Sequence, residues 1–173
     1  QRVLVVGSNL RKDQPLFAQR IRQATRVGCA VSAVNAEATD WAMPVRNTCV
    51  TPADGWLQAL ADIATVIAAR KNVAAPLNGR ATEVADAIAG SLLSGDRKAV
   101  LLGNAAAHHA QAGQLLAMAN WIAEQTGASV GYLTEAANTV GAQWANALPG
   151  ANGLNAGQML SGGLKALLLL NNE

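Results

Sequence analysis

The sequence predicts an α/β fold, a doubly wound and mostly parallel sheet built from Rossmann-like βαβ units. Three observations predict it. Two short, apolar runs, VLVVGSN near the start and AVLLGNA past the middle, each end in Gly and Asn. Each is followed by a stretch of helical periodicity that stops at a Gly, and then by another short apolar run. A unit of about thirty residues in that order calls for a right-handed crossover between parallel strands. The composition is also that of a chain with a substantial core, 51% hydrophobic and 14% charged. Disorder needs the opposite balance.

Arg2–Gly7 reads as a buried strand because it is short, rich in Val and closed by glycine. Ser8–Gln14 is a polar loop. Pro15 suits a first helical position, with Asp13 just upstream as a candidate cap. That helix carries Leu16, Ile21 and Val27 and stops at Gly28. Ala30–Val34 is the next strand, ending at Asn35. Residues 36–46 show no clear period, and Thr48–Thr51 is a short third strand. Pro52 opens a helix over Asp54–Arg70, with Trp56, Leu60, Ile63 and Ile67 on one face. Lys71–Arg80 is a loop, and Thr82–Leu93 is a helix ending before Gly95. Lys98–Gly103 is a strand, Ala110–Thr126 a helix stopped by Gly127, and Ser129–Leu133 a strand. Thr139–Ala147 is a short helix, Gly150–Gly157 a loop, and Leu164–Leu170 the last strand. Val3–Val6, Ala99–Leu102, Val130–Leu133 and Leu167–Leu170 are expected to be buried, central strands.

The expected organisation is a single α/β domain over 1–173. A weak internal repeat offers a division into two βαβ halves, 1–95 and 96–173. Gln1 stands directly before a strand and Glu173 directly after one, so the chain reads as excised from a longer polypeptide.

Several function classes lack support. No apolar run approaches the ~18 residues of a membrane span, so direct membrane insertion is not expected. Four Trp, one Tyr and one Phe are too few for a base-stacking platform, and a net charge of +2 is too small to argue for nucleic acid. Cys29 and Cys49 stand far apart with no zinc-ligand spacing around them. An iron–sulfur cluster generally takes four thiolates, so this chain cannot hold one alone. His108-His109 are adjacent, which on a helix points them apart; they read as a polar helix entrance. Gly157 and Gly162 have phosphate-loop spacing, but Gly163-Leu164 replaces the Lys-Ser/Thr pair.

Two turns remain as candidate binding elements. Gly7-Ser8-Asn9 lies between a strand and a helix, a place that can present backbone N–H groups to a phosphate. A dinucleotide fingerprint needs GxGxxG and an acidic residue about twenty positions on. Asn9 and Lys12 break the first requirement and Asn35 the second, so the plainer reading is a strand-to-helix turn. Gly103-Asn104 is a similar turn, followed by Ala105–Ala107. Charge is uneven: Arg2, Arg11, Lys12, Arg20, Arg22 and Arg26 accompany a single acid, Asp13, in the first 28 residues. That segment suits an acidic partner or an anion, and reads more simply as a solvated helix face.

VLVVGSNLRKDQPLFAQRIRQA, LLGNAAAHHAQAGQLLAMANWIAEQTGA, GYLTEAANTVGAQ, PGANGLNAGQML and LLLLNNE follow one another along the chain. In that order they resemble the large iron–sulfur subunit of bacterial NADH:quinone oxidoreductase, respiratory complex I. The resemblance covers nearly the whole chain except Ala36–Arg80. It implies a piece of that subunit's molybdopterin-oxidoreductase-like region, a scaffold in the hydrophilic arm. It further implies no cofactor in this stretch, with iron–sulfur clusters elsewhere in the parent chain. Partners would be other subunits of the peripheral arm, on the cytoplasmic side of the bacterial inner membrane. In relatives such lobes hold a molybdopterin guanine dinucleotide, and Gly7, Ser8, Asn9, Gly103 and Asn104 match turns that face it there. The alternative is a cofactor-binding lobe of a molybdopterin enzyme, such as a formate dehydrogenase-like oxidoreductase.

Overall fold

Five short apolar strands pair in parallel, in the order β3-β2-β1-β4-β5, in a computed structural model that describes residues 1–133 and 139–168. They are β1 (Arg2–Val6), β2 (Ala30–Asn35), β3 (Asn47–Val50), β4 (Lys98–Leu102) and β5 (Ser129–Tyr132). Helices α1 (Leu10–Asp13) and α2 (Pro15–Thr25) link β1 to β2, and α3 (Trp56–Lys71) and α4 (Glu83–Leu93) link β3 to β4. Helices α5 (Asn104–Ala107) and α6 (Ala112–Thr126) link β4 to β5, with α7 (Thr139–Trp144) and α8 (Ala156–Leu160) beyond. The strand order is that of the doubly wound class, with helices on both faces of the sheet.

The side-chain period of a strand explains the two faces. Leu4 and Val6 of β1 point to one side, where they join Val100, Leu102 and the apolar sides of α3, α4 and α6. Val5 points to the other, against Leu10, Ala18 and Ile21 from α1 and α2. No helix follows β2. Instead Trp41, with Met43 and Val45 packed beside it, covers that side of the sheet from the irregular stretch between β2 and β3. Alanine-rich α3 packs against both α4 and α6. Thr82 caps α4, its side chain accepting from the N–H of Ala85 at 3.2 Å.

Several expectations need correction. Leu16 and Val27 face solvent; Ala18 and Ile21 carry the buried stripe of α2. Asp13 does not cap α2, whose N-cap is Gln14. Residues 10–13, expected as loop, form a helical turn. Among the described residues β5 borders β4 alone and forms the edge of the sheet, and Tyr132 is substantially exposed. Leu101 is only partly buried. No strand forms over 164–168, where Leu167 and Leu168 are exposed. A leucine run becomes a strand only where a neighbour accepts its ladder, and 164–168 has none among the described residues; 169–170 lie outside the described residues.

Strands from both expected halves, 1–95 and 96–173, join the one sheet. Two compact units are distinguished, Gln1–Glu135 and Ala136–Glu173. The first contains the sheet and both apolar clusters. In the second, α8 is held by a reciprocal cap: Asn155 Oδ1 accepts from Gln158 N, and Gln158 Oε1 accepts from Asn155 N, both at 2.9 Å. No helix among the described residues is long and apolar enough to cross a membrane.

Candidate functional site

In a parallel sheet all carboxyl ends lie along one edge, and the chain reverses its winding between β1 and β4. The turns after these two strands meet there. Gly7 leaves β1 with φ +62°, its N–H donating to Val34 O at 2.9 Å. Gly103 leaves β4 with its N–H donating to Val6 O at 2.8 Å, and Ala105 N donates to Gly7 O at 3.1 Å. The approach is close enough to exclude side chains. A Cβ on Gly103 would fall 2.2 Å from Ser8 Cβ, and one on Gly7 would fall 2.6 Å from the Trp56 ring.

A cavity of ≈ 250 Å³ opens over this junction, and Gly7, Ser8, Asn9 and Asn104 all line it. Gly103 is buried beneath, against Ser8. Sequence reasoning had singled out these five residues. It marks Asn35 only as the place of a missing acid, and it does not reveal that Asp13, Glu37, Thr39 and Trp56 also shape the cavity. No Lys, Arg or His lines it among the described residues.

The backbone donors of the first turn are spoken for. Ser8 N donates to Asn35 Oδ1 at 3.0 Å, and Asn35 Nδ2 donates back to Ser8 O at 2.9 Å. Asn35, 6% exposed, is therefore a clasp between β1 and β2, standing where a dinucleotide fold places a ribose-binding acid. Asn9 N donates to Asp13 Oδ2 at 2.9 Å, while Asp13 N donates to Asn9 O at 2.8 Å. A carboxylate of the chain itself thus sits at the N–H that a phosphate would seek. Arg11 pairs with Asp40 on the surface and is not in the cavity lining. The N–H of Ala42, and then Arg11, hold the Asp40 carboxyl below its ordinary range.

Two polar atoms of the junction, Ser8 Oγ and Asn104 Oδ1, are buried with no hydrogen-bond partner among the described residues. Trp56 is anchored at the cavity wall by its indole N–H, which donates to Thr51 O at 3.2 Å. Its other side meets His109, ring centroids 5.7 Å apart. That contact gives His109 a packing role which adjacency to His108 did not suggest. Both cysteines are free and neither lines the cavity, and burial raises the pKa of both thiols. No group of three or more His, Cys, Asp or Glu side chains suited to a metal occurs among the described residues.

The family model for molybdopterin oxidoreductase matches residues 1–173. No curated protein matches the chain.

Proposed function

The chain belongs to the molybdopterin oxidoreductase family, and we propose that it is a scaffold domain of the large iron–sulfur subunit of an NADH:quinone oxidoreductase. On this reading it carries no cofactor of its own. The redox clusters lie in another part of the parent polypeptide, and its partners are other subunits of a peripheral arm at the membrane's cytoplasmic side. The oxidoreductase character comes from the family; the specific parent comes from the ordered resemblance of its motifs.

One observation carries the absence of a dinucleotide: the Asn9 N–H at the switch point is occupied by the Asp13 carboxylate. A pyrophosphate bound there would face Asp13 and Glu37 with no cation lining the cavity among the described residues. Like charges at close range oppose binding, and the N–H groups of Gly7, Ser8 and Asn9, which would offset this, are already bonded. The residues present therefore do not fit the phosphates of a molybdopterin dinucleotide. The family match over the whole chain equally accommodates a cofactor-binding lobe of a molybdopterin enzyme, and one measurement separates the two. Calorimetry with GDP at low and moderate salt should give no binding, or millimolar binding that salt abolishes. A micromolar constant that survives moderate salt would replace the scaffold reading with the cofactor-binding one.

A further inference from the structure

The switch-point cavity is built from acceptors. Asp13 and Glu37 supply carboxylates at its wall. Ser8, only 5% exposed, contributes an Oγ without a partner, and Asn104 contributes an Oδ1 in the same condition. Buried polar atoms in native proteins nearly always find a partner, so a pair of orphans beside one cavity calls for a group that can donate to them. Two carboxylates in a lining that holds no Lys, Arg or His among the described residues call for positive charge. Trp56 adds an aromatic wall, which attracts a weakly hydrated, planar cation.

These features discriminate between cations. Hard metal ions take about six or more oxygen ligands for calcium, or a rigid octahedron for magnesium. The cavity has no cluster of three metal-ligating side chains among the described residues. A quaternary ammonium has charge but no N–H to offer the orphaned oxygens. A guanidinium has several N–H donors in a plane, a permanent charge, and a face that stacks on aromatic rings.

We propose that the switch-point cavity binds a guanidinium group through Asp13, Glu37, Ser8 and Asn104, against Trp56. The same chemistry is delivered by a small free guanidinium compound or by an arginine side chain of a neighbouring polypeptide. The proposal goes beyond the scaffold reading and assigns an occupant to the cavity that phosphate does not suit.

The test is an NMR titration of the whole chain at low salt. The reporters are the Trp56 indole N–H, assigned with Trp56→Phe, and the backbone N–H signals of Ser8 and Asn104. Methylguanidinium should shift all three saturably, and tetramethylammonium, of equal charge, should not. Glu37→Gln, on an exposed loop residue, should weaken binding about tenfold while leaving the unfolding midpoint unchanged. Asp13→Asn, which keeps an acceptor for Asn9, provides a second reading. Tighter binding of Nα-acetyl-arginine amide than of methylguanidinium would identify a polypeptide source, and the reverse a small molecule. No saturable shift with methylguanidinium, or equal shifts with tetramethylammonium, would overturn the proposal and leave the scaffold reading intact. Salt-resistant GDP binding would overturn the scaffold reading separately.

Discussion

At the scale of single residues, the junction between β1 and β4 depends on two glycines for different reasons. Gly7 combines a left-handed backbone with crowding: its missing Cβ would meet the Trp56 ring at 2.6 Å and Ala106 N at 2.8 Å. Gly103 has an ordinary backbone, φ −86°, but a Cβ there would strike Ser8 Cβ at 2.2 Å and Gly7 O at 2.5 Å. Gly28 has φ +93° and nothing within 4 Å. The three separate strain from crowding. Gly28→Ala should cost roughly 1–2 kcal/mol, the left-handed penalty alone. Gly103→Ala should cost about 3 kcal/mol or more, because backbone must move to relieve the overlap. Gly7→Ala, which bears both, should cost at least as much as Gly103→Ala. Urea unfolding midpoints rank them, and a Gly103→Ala as mild as Gly28→Ala would show that the two turns are not in close approach. That both glycines end strands was legible in the sequence. What they meet was not, because Trp56 and Ser8 reach them across the fold and leave no local spacing to read. The role of Asn35 was hidden in the same way: its partner Ser8 is 27 residues distant.

At the scale of elements, the strands were legible because short runs of Val, Leu and Ala bounded by Gly and Asn have few other readings. Their depth was not, because burial is decided by what comes to lie on each side. β4 and β5 illustrate this. Leu102 and Tyr132 are paired across the ladder, yet Leu102 is 0% exposed beneath α3 and α6 while Tyr132 at the edge is 37% exposed. Aspartate at the two positions should therefore behave very differently. Leu102→Asp buries an unpaired carboxylate and should cost several kcal/mol, on the order of 3–5, enough to abolish cooperative folding in a marginal domain. Tyr132→Asp leaves its carboxylate hydrated and should cost about 1 kcal/mol. Circular dichroism with denaturant titration distinguishes them. A folded Leu102→Asp protein as stable as Tyr132→Asp would contradict the placement of β4 inside the sheet. The leucine run at 164–168 carries the same lesson from the other direction. Its composition matches β4, but an apolar run has no ladder of its own, and with no strand pairing it among the described residues it is irregular and exposed.

At the scale of the whole molecule, the fold class follows from repetition of one unit, while the site's character follows from what the repeats bring together. The carboxyl ends of β1 and β4 were expected to face a ligand because every doubly wound sheet opens a crevice at its switch point. The sign of that crevice could not be read along the chain. The first 28 residues are strongly basic, yet Arg11 is paired with Asp40 on the surface, and the acids Asp13 and Glu37 are left to line the cavity. Net charge of a segment says which charges are near in sequence, whereas the field in a crevice depends on which side chains turn toward it. The apolar clusters impose a further constraint. Among the described residues their last buried member is Leu133, and every strand and its covering helices precede Glu135. Both apolar clusters of the described residues thus lie within the unit Gln1–Glu135. A chain ending at Glu135 should fold alone, unfold in a single cooperative transition, and keep the Trp56 indole signal of the longer chain. Its midpoint in urea should lie within about 0.5 kcal/mol of the parent, the range expected for changes away from a core. Loss of cooperativity, or a molten species with exposed apolar surface, would mean that residues beyond 135 contribute a necessary part of the sheet's cover.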